Sequence, residues 1–409
     1  MNSKMLQDKT LRTRPSHYKH SRYQPTFRRH HRCGKHRPHG ALGIAAIGTL
    51  IAVSGCGGGS NLNPEVPGVS SHGTANLLYP TPGPGPTANL PAFKVTTLVS
   101  DTAVAGAQRD PHLINGWGIA FSSFSTIWVS ANGTGTTTVY DGTGKTVLPA
   151  IKIPAPPGQT GPSAPTGQIF NPSTSFKNDK FILSTEDGTI AGWQGGTVAT
   201  MRVNESSSGA VYKGLAAAND VGRNLLYATD FHGGKIDVFD SNYNPVTLGG
   251  FKDASLPLGF APFNITNFGK NLIVTYAKQD ADKHDDVKGA GNGFVDVFST
   301  GGHLLQRLVA HGALNSPWGV ALAPDTFGAL SHRLLIGNFG DGWVNVFNAS
   351  NGASLGSLKD KTGHVIVLDG LWGLSFGNGT AAGKTNQLFF SAGPNDEKHG
   401  RFGRLDMAP

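Results

Sequence analysis

Residues 224–240 read NLLYATDFHGGKIDVFD, and this stretch decides the fold. An apolar run is followed by a polar turn with Gly233 and Gly234 and then by an alternating run, a pattern typical of a β-hairpin. Related phrases stand at 332–348 (HRLLIGNFGDGWVNVFN), 180–194 (KFILSTEDGTIAGWQ) and 126–141 (TIWVSANGTGTTTVYD). The chain is therefore expected to be a repeat protein.

A second repeated phrase precedes each hairpin and is interpreted as an innermost strand. It reads NGWGIAF in its first copy and LWGLSF in its sixth. Aligned on one position, the copies place Gly118, Gly167, Gly214, Asn264, Gly319 and Gly373 at spacings of 49, 47, 50, 55 and 54 residues. Each copy has room for four short strands, and no segment sustains helical periodicity. The sequence therefore predicts an all-β fold, a six-bladed β-propeller with four-stranded blades.

The last copy ends one strand short, whereas the segment FKVTTLVSD at 93–101 has no blade of its own. We expect this N-terminal segment to complete the last blade, because the pairing closes the ring and removes two open sheet edges. Trp117, Trp318 and Trp372 each precede a glycine of the innermost phrase. They are expected to fill wedges between blades, and stacking on a ligand is the alternative.

Residues 1–55 have the three parts of a signal peptide: a basic start, an apolar stretch at 41–53, and small residues before Cys56. Val53-Ser54-Gly55-Cys56 resembles the lipobox of bacterial lipoproteins, which implies that Cys56 is acylated and becomes the first mature residue. An ordinary secreted protein is the alternative. The sequence thus predicts an exported protein of the bacterial cell envelope that is held by a lipid anchor.

The positive charge of the chain is concentrated in this leader. Residues 1–40 hold 11 of the 34 Lys and Arg, so the rest of the chain has a formal charge of −2 and gives no argument for a nucleic-acid partner. Cys33 would leave with the leader, so stability is expected to come from core burial and not from disulfides. Residues 56–92 are rich in Gly, Pro and Ser and are predicted to form a disordered tether, and residues 93–409 the propeller.

The repeat unit resembles the NHL-type and YVTN-type repeats of known propellers. A closer likeness rests on DPHLINGWGIAF near Asp110, LYATDFHGGKIDVFD, SPWGVALAP, and LFFSAGPNDEKHGRFGRL near the C-terminus. Together these are similar to a family of exported bacterial propellers of unknown function. The resemblance implies the fold and no activity.

Polar residues of the repeat are expected at one end of the central channel. In a four-stranded blade, the loop between strands two and three shares a face with the loop that enters strand one. The candidate ligand-binding residues on this face are Asp110, His112, Asn132, Asp230, His232, Asn338, Asp341 and Asn395, with Asn115, Glu186, Asp187, Asp396, Glu397 and His399 beside them. Alternatively, these Asn and Asp residues simply cap their own turns.

The longest loop, QDADKHDDVKGAGNG at 279–293, is the candidate metal site. The carboxylates of Asp280, Asp282, Asp285 and Asp286 repel one another unless a cation lies among them, and calcium takes several oxygen ligands in flexible loops. The spacing departs from that of an EF-hand. The alternative is a solvated acidic loop that is balanced by nearby lysines.

No hydrolase, phosphate-binding or dinucleotide-binding signature is present in the sequence. The leading interpretation is an envelope-anchored, non-catalytic module that binds or scaffolds a protein, glycan or small-molecule partner. It would touch the membrane only through its lipid anchor. The alternative is a divalent-metal-dependent hydrolase of the lactonase type with its site at the channel mouth, so enzymatic activity stays open.

Overall fold

The computed structural model describes residues 90–408, and these residues form the predicted all-β propeller with six sheets arranged as blades. β1 (Phe93–Ser100) and β2 (Gln108–Arg109) precede blade 1, which holds β3 (Gly116–Ala120), β4 (Ile127–Ala131), β5 (Thr136–Tyr140) and β6 (Thr146–Lys152). Blade 2 holds β7 (Pro165–Phe170), β8 (Phe181–Thr185), β9 (Thr189–Trp193) and β10 (Thr200–Asn204). Blade 3 holds β11 (Tyr212–Asp220), β12 (Arg223–Asp230) and β13 (Lys235–Phe239).

The second half of the ring continues the pattern. Blade 4 holds β14 (Phe260–Phe268), β15 (Asn271–Lys278), β16 (Phe294–Ser299) and β17 (Leu304–Ala310), and blade 5 holds β18 (Pro317–Leu322), β19 (Arg333–Asn338), β20 (Val344–Asn348) and β21 (Ser354–Ser357). Blade 6 holds β22 (Leu371–Phe376), β23 (Leu388–Ala392) and β24 (Arg401–Met407). Four 3-10 helices lie in loops of the described residues, at Asn132–Thr134, Phe176–Asn178, Ser206–Ser208 and Gly328–Leu330. Residues 90–408 contain no helix with the length and hydropathy needed to cross a bilayer.

The ring closes as predicted from the sequence. β1 pairs antiparallel with β24, with Phe93 opposite Met407 and Ser100 opposite Arg401. The N-terminal strand therefore supplies the missing strand of blade 6, and β2 adds a short parallel pairing to its outer side.

Blade 3 departs from the four-stranded pattern, because its sheet holds three strands. Pro245 forms an isolated bridge with Phe239, and the backbone N–H of Val246 donates to the carbonyl of Val238 at 2.7 Å. Since proline has no N–H to donate, a regular fourth ladder does not develop at this position.

The aligned glycines lie where neighbouring innermost strands meet. A Cβ on Gly118 would lie 2.5 Å from the carbonyl oxygen of Thr166, so only glycine fits between β3 and β7. Blade 4 carries Asn264 at this position, and its Nδ2 donates to the carbonyl of Trp318 at 2.7 Å. The one break in the glycine pattern is therefore filled by a hydrogen bond between blades.

The prediction that the three tryptophans fill wedges between blades is wrong. Trp117 of blade 1 stacks on Trp372 of blade 6 at 3.6 Å between ring centroids, and it also contacts Trp318 of blade 5 at 6.2 Å, across the channel. Each tryptophan directly precedes the aligned glycine of its strand, and from this position the side chain reaches the channel axis. With Phe231, Phe263 and Phe339 they form one buried cluster, here called the aromatic plug.

We call the face with the loops between strands two and three the mouth, and the face with the loops between strands one and two the base. Below the aromatic plug, the innermost strands of all six blades line a cavity of about 760 Å³ that extends toward the base. Phe121, Phe170, Phe268 and Phe376 line its outer end.

The predicted signal peptide (1–55), the acylation site Cys56 and most of the predicted tether (56–92) lie outside the described residues. At the end of the tether, Leu90 packs against the core between blades 5 and 6, and Ala92 bridges Lys359.

Candidate functional site

A buried lysine occupies the centre of the mouth. Lys213 of β11 stands at the position that holds tryptophan in blades 1, 5 and 6, and it is 1% exposed. Its Nζ contacts a carboxylate oxygen of Glu186 and lies 3.2 Å from Oδ1 of Asp285. The same Nζ lies 5.2 Å from the centroid of the Trp117 ring. A buried ammonium needs such partners, because desolvating an unpaired charge is costly.

The charges around Lys213 hold one another in their ionised forms. Burial alone would lower the pKa of Lys213, but the negative charges of Glu186 and Asp285 and the hydrogen bonds to them raise it above its ordinary value. The hydrogen bond from His284 and the nearby Lys213 charge hold the pKa of Asp285 well below its usual range. The hydrogen bond to Asp285 in turn raises the pKa of His284. Lys213 is therefore charged and paired at neutral pH.

Amide side chains extend this ion pair across the mouth. Nδ2 of Asn132 donates to Oε2 of Glu186 at 2.7 Å, and Nδ2 of Asn115 donates to Oε1 of Glu397 at 2.8 Å and to Oδ1 of Asn132 at 3.3 Å. Nε1 of Trp372 donates to Oδ1 of Asn115 at 3.1 Å. We call Asn115, Asn132, Glu186, Lys213, His284, Asp285 and Glu397 the mouth network. It joins loops and strands of blades 1, 2, 3, 4 and 6 above the aromatic plug.

Glu397 differs from the other two acids of the mouth network, because it forms no ion pair with another residue of the range 90–408. Burial raises its pKa, and the negative charge of Glu186 raises it further. Its Oε1 also lies 3.2 Å from Nε1 of Trp372.

Three of the predicted ligand-binding residues, Asp110, Asp230 and Asp341, are turn caps. Asp110 accepts hydrogen bonds from the Tyr140 hydroxyl at 2.7 Å and from a backbone N–H. Asp230 accepts two backbone N–H groups, at 3.1 and 2.9 Å. Asn338 donates to Asp341 at 3.1 Å, and Asp341 also accepts the backbone N–H of Trp343. The turn-capping alternative accounts for these positions.

The remaining predicted residues divide between the mouth network and the loops around it. Asn132 lies in the network, as do Asn115, Glu186 and Glu397, which the sequence placed on the same face. His112, His232 and Asn395 are exposed on loops outside it. Whether any of these residues binds a ligand stays a prediction.

The four acidic residues of the 279–293 loop have different surroundings. Oδ1 of Asp280 accepts the backbone N–H of His284 at 2.9 Å, and Asp282 is exposed. Asp285 pairs with Lys213, and Oδ2 of Asp286 is buried without a hydrogen-bond partner, so burial raises the pKa of Asp286. The structure therefore does not gather them as one ligand set, and calcium at this loop stays a prediction.

Another combination comes closer to a metal site. Within residues 90–408, ligand atoms of Glu186, His284 and Asp285 lie within 4.8 Å of one another. The Lys213 ammonium contacts both of these carboxylates, so it already supplies the positive charge that they require.

Sequence reasoning missed Lys213 and the indole N–H of Trp372. A signal for Lys213 was present, because KGLAA carries lysine where three other copies carry tryptophan. A charge at a position that is aromatic in four of the six copies indicates that an opposite charge lies within reach. No such signal marked Trp372, whose indole direction depends on the packing of the aromatic plug.

No protein-family model matches the chain. Two curated proteins of Acanthamoeba polyphaga mimivirus are related to it. Uncharacterized protein R648 is 33% identical over 339 residues, covering 78% of this chain and 82% of that protein. Uncharacterized protein L690 is 33% identical over 358 residues, covering 83% and 92%. Both relatives are viral, so a bacterial origin and a lipoprotein signal stay predictions.

Two solved structures with a similar fold are enzymes by their descriptions. A streptogramin B lyase has a TM-score of 0.45 and 13% identity, covering 77% of this chain and 98% of that chain. The soluble aldose sugar dehydrogenase of Escherichia coli has a TM-score of 0.47 and 12% identity, covering 78% and 100%. Likeness at this level carries no information on activity. By the sequence relationship, the chain belongs to the same family as the mimivirus proteins R648 and L690.

Proposed function

We propose that the chain is a non-catalytic binding module whose mouth network recognises a polar group of a protein, glycan or small-molecule partner. The observation that carries this proposal is the pairing of Lys213 with both Glu186 and Asp285. A general base or a metal ligand is strongest when its negative charge is not already neutralised, and here the central acids are paired with a resident ammonium. Fixed charges of this kind are suited to recognition.

The surroundings of the mouth network support this role. The aromatic plug gives the network a rigid floor, and a prearranged site loses less entropy on binding than a mobile one. The outer members remain reachable, since the side chain of Asp285 is 65% exposed and that of His284 is 47% exposed. Together they present acceptors and donors to a ligand above the channel axis.

The binding proposal is tested by a thermal-shift screen of oligosaccharides, polyols and peptides with the wild type and two variants. Asn132→Ala removes a bridge of the mouth network, and His303→Ala changes an exposed residue in the turn between β16 and β17, outside the network and the candidate residues around it. We expect hits that stabilise the wild type and the His303 variant but lose at least tenfold in affinity with the Asn132 variant. Hits that bind all three proteins equally would place the site elsewhere.

We also propose that the protein is exported and lipid-anchored through Cys56. The support is the leader, with its apolar stretch directly before Val53-Ser54-Gly55-Cys56. Mass spectrometry of the membrane fraction should find an acylated Cys56 at the mature N-terminus, and Cys56→Ala should leave the protein unprocessed or soluble. An unmodified Cys56 inside a longer chain would refute the anchor.

One observation favours the alternative, a divalent-metal-dependent hydrolase of the lactonase type. Glu186, His284 and Asp285 have the donor types and the proximity of a metal site. Calorimetric titration with calcium and with zinc tests it, together with assays on lactone and ester substrates. A metal at 100 times its dissociation constant would add about 2.7 kcal/mol of stability. Lys213→Met should strengthen metal binding, since it removes the competing cation. If added metal leaves the melting curves of both the wild type and the Lys213 variant unchanged, this alternative is excluded.

A further inference from the structure

The two ends of the channel differ in charge. The mouth loops, between strands two and three, contain nine acidic and three basic residues. The base loops, between strands one and two, contain four lysines and two aspartates. Asp179 is buried and paired with Arg202, and Asp325 lies 3.3 Å from His332. The loops between strands three and four share this face and add Lys145, Asp141 and Asp240, and with them the base is still the more positive end of a domain whose formal charge is close to zero.

The base lysines are spaced around the channel. Lys177 and Lys180 lie in blade 2, Lys270 in blade 4 and Lys384 in blade 6, and all four are exposed. None of them forms an ion pair within residues 90–408. Because they occupy alternate blades, they mark three points around the axis, an arrangement suited to contact with a flat surface.

Apolar side chains lie on the same face. Phe124 in the base loop of blade 1 is 73% exposed, and Val221 in the base turn of blade 3 is 94% exposed. Further aromatic residues line the nearby end of the cavity, among them Phe376. Exposed apolar groups clustered on one face commonly mark a surface that another body covers.

The anchored end of the chain reaches this face. Phe93, at the start of β1, contacts Phe327 with ring centroids 5.7 Å apart, and Phe327 contacts Phe376 at 4.7 Å. Phe93 thus lies two ring contacts away from Phe376, at the outer end of the cavity. Residues 57–89 precede the described chain, and Cys56 stands directly before them.

We propose that the base of the propeller docks on the surface of an anionic lipid bilayer, a step that rests on the proposed membrane anchoring through Cys56. Lysines near an anionic surface each strengthen binding about fivefold, and aromatic rings settle at the level of the headgroups. Lipid chains with a basic patch hold a protein more firmly than a single chain alone. Docked in this way, the molecule presents the mouth network to the solution.

The proposal is tested with an unacylated mature chain, residues 56–409 with Cys56→Ser, so that the lipid makes no contribution. Its binding to vesicles of phosphatidylcholine alone, and with about 30% phosphatidylglycerol, is measured by sedimentation at low and high salt. We expect binding to the anionic vesicles only, weakening as salt rises. The pair Lys270→Gln and Lys384→Gln should weaken binding about 25-fold. The pair Lys283→Gln and Lys288→Gln, on the mouth, should change it less than about twofold.

A fluorescent label supplies an independent reading of the docked face. Val221 on the base and Leu258 on the loop that enters blade 4 are both exposed, at 94% and 101%. The emission maximum of a polarity-sensitive dye attached to the Val221→Cys variant should shift to shorter wavelength on anionic vesicles. The emission maximum of the same dye on the Leu258→Cys variant should not shift. Any one of four results would overturn the proposal. These are equal dye shifts at the two positions, equal loss of vesicle binding in the two lysine pairs, no binding to vesicles, and tighter binding to heparin than to vesicles. An unmodified Cys56 in cells would refute the anchor without changing these vesicle results.

Discussion

The Nζ atom of Lys213 lies 3.2 Å from Oδ1 of Asp285 and thereby ties the innermost strand of blade 3 to the long loop of blade 4. The same atom contacts Glu186 of blade 2. One buried ammonium therefore links three consecutive blades at the mouth. The conformation of the acidic loop therefore depends on a contact between two residues, Lys213 and Asp285, that are 72 positions apart in sequence.

Removing the charge of Lys213 should destabilise the fold strongly. Lys213→Met keeps most of the side-chain volume but leaves the mostly buried carboxylate of Glu186 without its cation. Loss of one partner from a buried ion pair costs about 3 kcal/mol or more in the free energy of unfolding. Chemical denaturation measures this difference.

The control is the double variant Lys213→Met with Glu186→Gln, which should recover at least about 1 kcal/mol, because no uncompensated charge remains. Asp285→Asn alone should cost less than about 1 kcal/mol, since that side chain is 65% exposed. If the double variant is as unstable as Lys213→Met, the loss comes from packing against the aromatic plug and not from charge.

Glu397 should make stability depend on pH. Its pKa in the folded state is raised above the ordinary value of 4.5, because burial disfavours the charged form and Glu186 repels it. Between the two pKa values the folded state binds more protons than the unfolded state. The contribution of Glu397 to the free energy of unfolding therefore falls as the pH rises through this window.

Glu397→Gln removes this titration while keeping an acceptor for Asn115 and Trp372. Relative to the wild type, the variant should gain stability as the pH is raised from about 4 to about 7 in denaturation experiments. A constant difference between the two proteins across this range would show that Glu397 titrates alike in both states.

The fold could be predicted from the sequence because the residues that define each repeat lie close together in the chain. The hairpin at 224–240 and the glycine-aligned innermost phrases reflect short-range turn chemistry and the close approach of neighbouring strands. Ring closure by β1 followed from counting strands. The three-stranded sheet of blade 3 was missed because its spacing leaves room for a fourth strand, and Pro245 alone did not reveal its absence.

The candidate site could be predicted only as a face. Loop positions identified Asn115, Asn132, Glu186 and Glu397 as neighbours of the channel axis. Which oxygens point inward depends on turn geometry, and Asp110 and Asp230 use theirs to cap backbone N–H groups. The role of the tryptophans depended on contacts between blades 1 and 5, which are far apart in sequence and are not adjacent in the ring.

Adding one methyl group where innermost strands meet should be costly. In Gly118→Ala the new Cβ would lie 2.5 Å from the Thr166 carbonyl oxygen and 3.2 Å from the Cα of Gly167, so the backbone of β3 or β7 must shift. Overpacking of this kind costs about 1–3 kcal/mol. The matched control is Gly249→Ala, where a Cβ meets nothing within 4 Å. Equal melting temperatures for the two variants would contradict the close approach of the strands.

The strand that closes the ring should contribute more stability than its length suggests. β1 pairs with β24 along its length, and Phe93, Leu98 and Val99 are buried, with exposures of 1%, 8% and 0%. Burial of these three side chains stabilises the fold by about 6 kcal/mol, a large part of the 5–15 kcal/mol typical of a whole domain. Deletion of residues 93–101 would also leave the edge of β24 unpaired and prone to aggregation.

We therefore expect deletion of residues 93–101 to abolish cooperative unfolding, whereas deletion of residues 57–89 should leave the melting temperature unchanged within about 2 °C. Because a deletion can fail for other reasons, Phe93→Ala offers a milder version. It should lower the free energy of unfolding by about 3–5 kcal/mol through lost contacts with Phe327 and the core between blades 5 and 6. If the Phe93 variant and both deletions melt together with the wild type, β1 does not close the ring in solution.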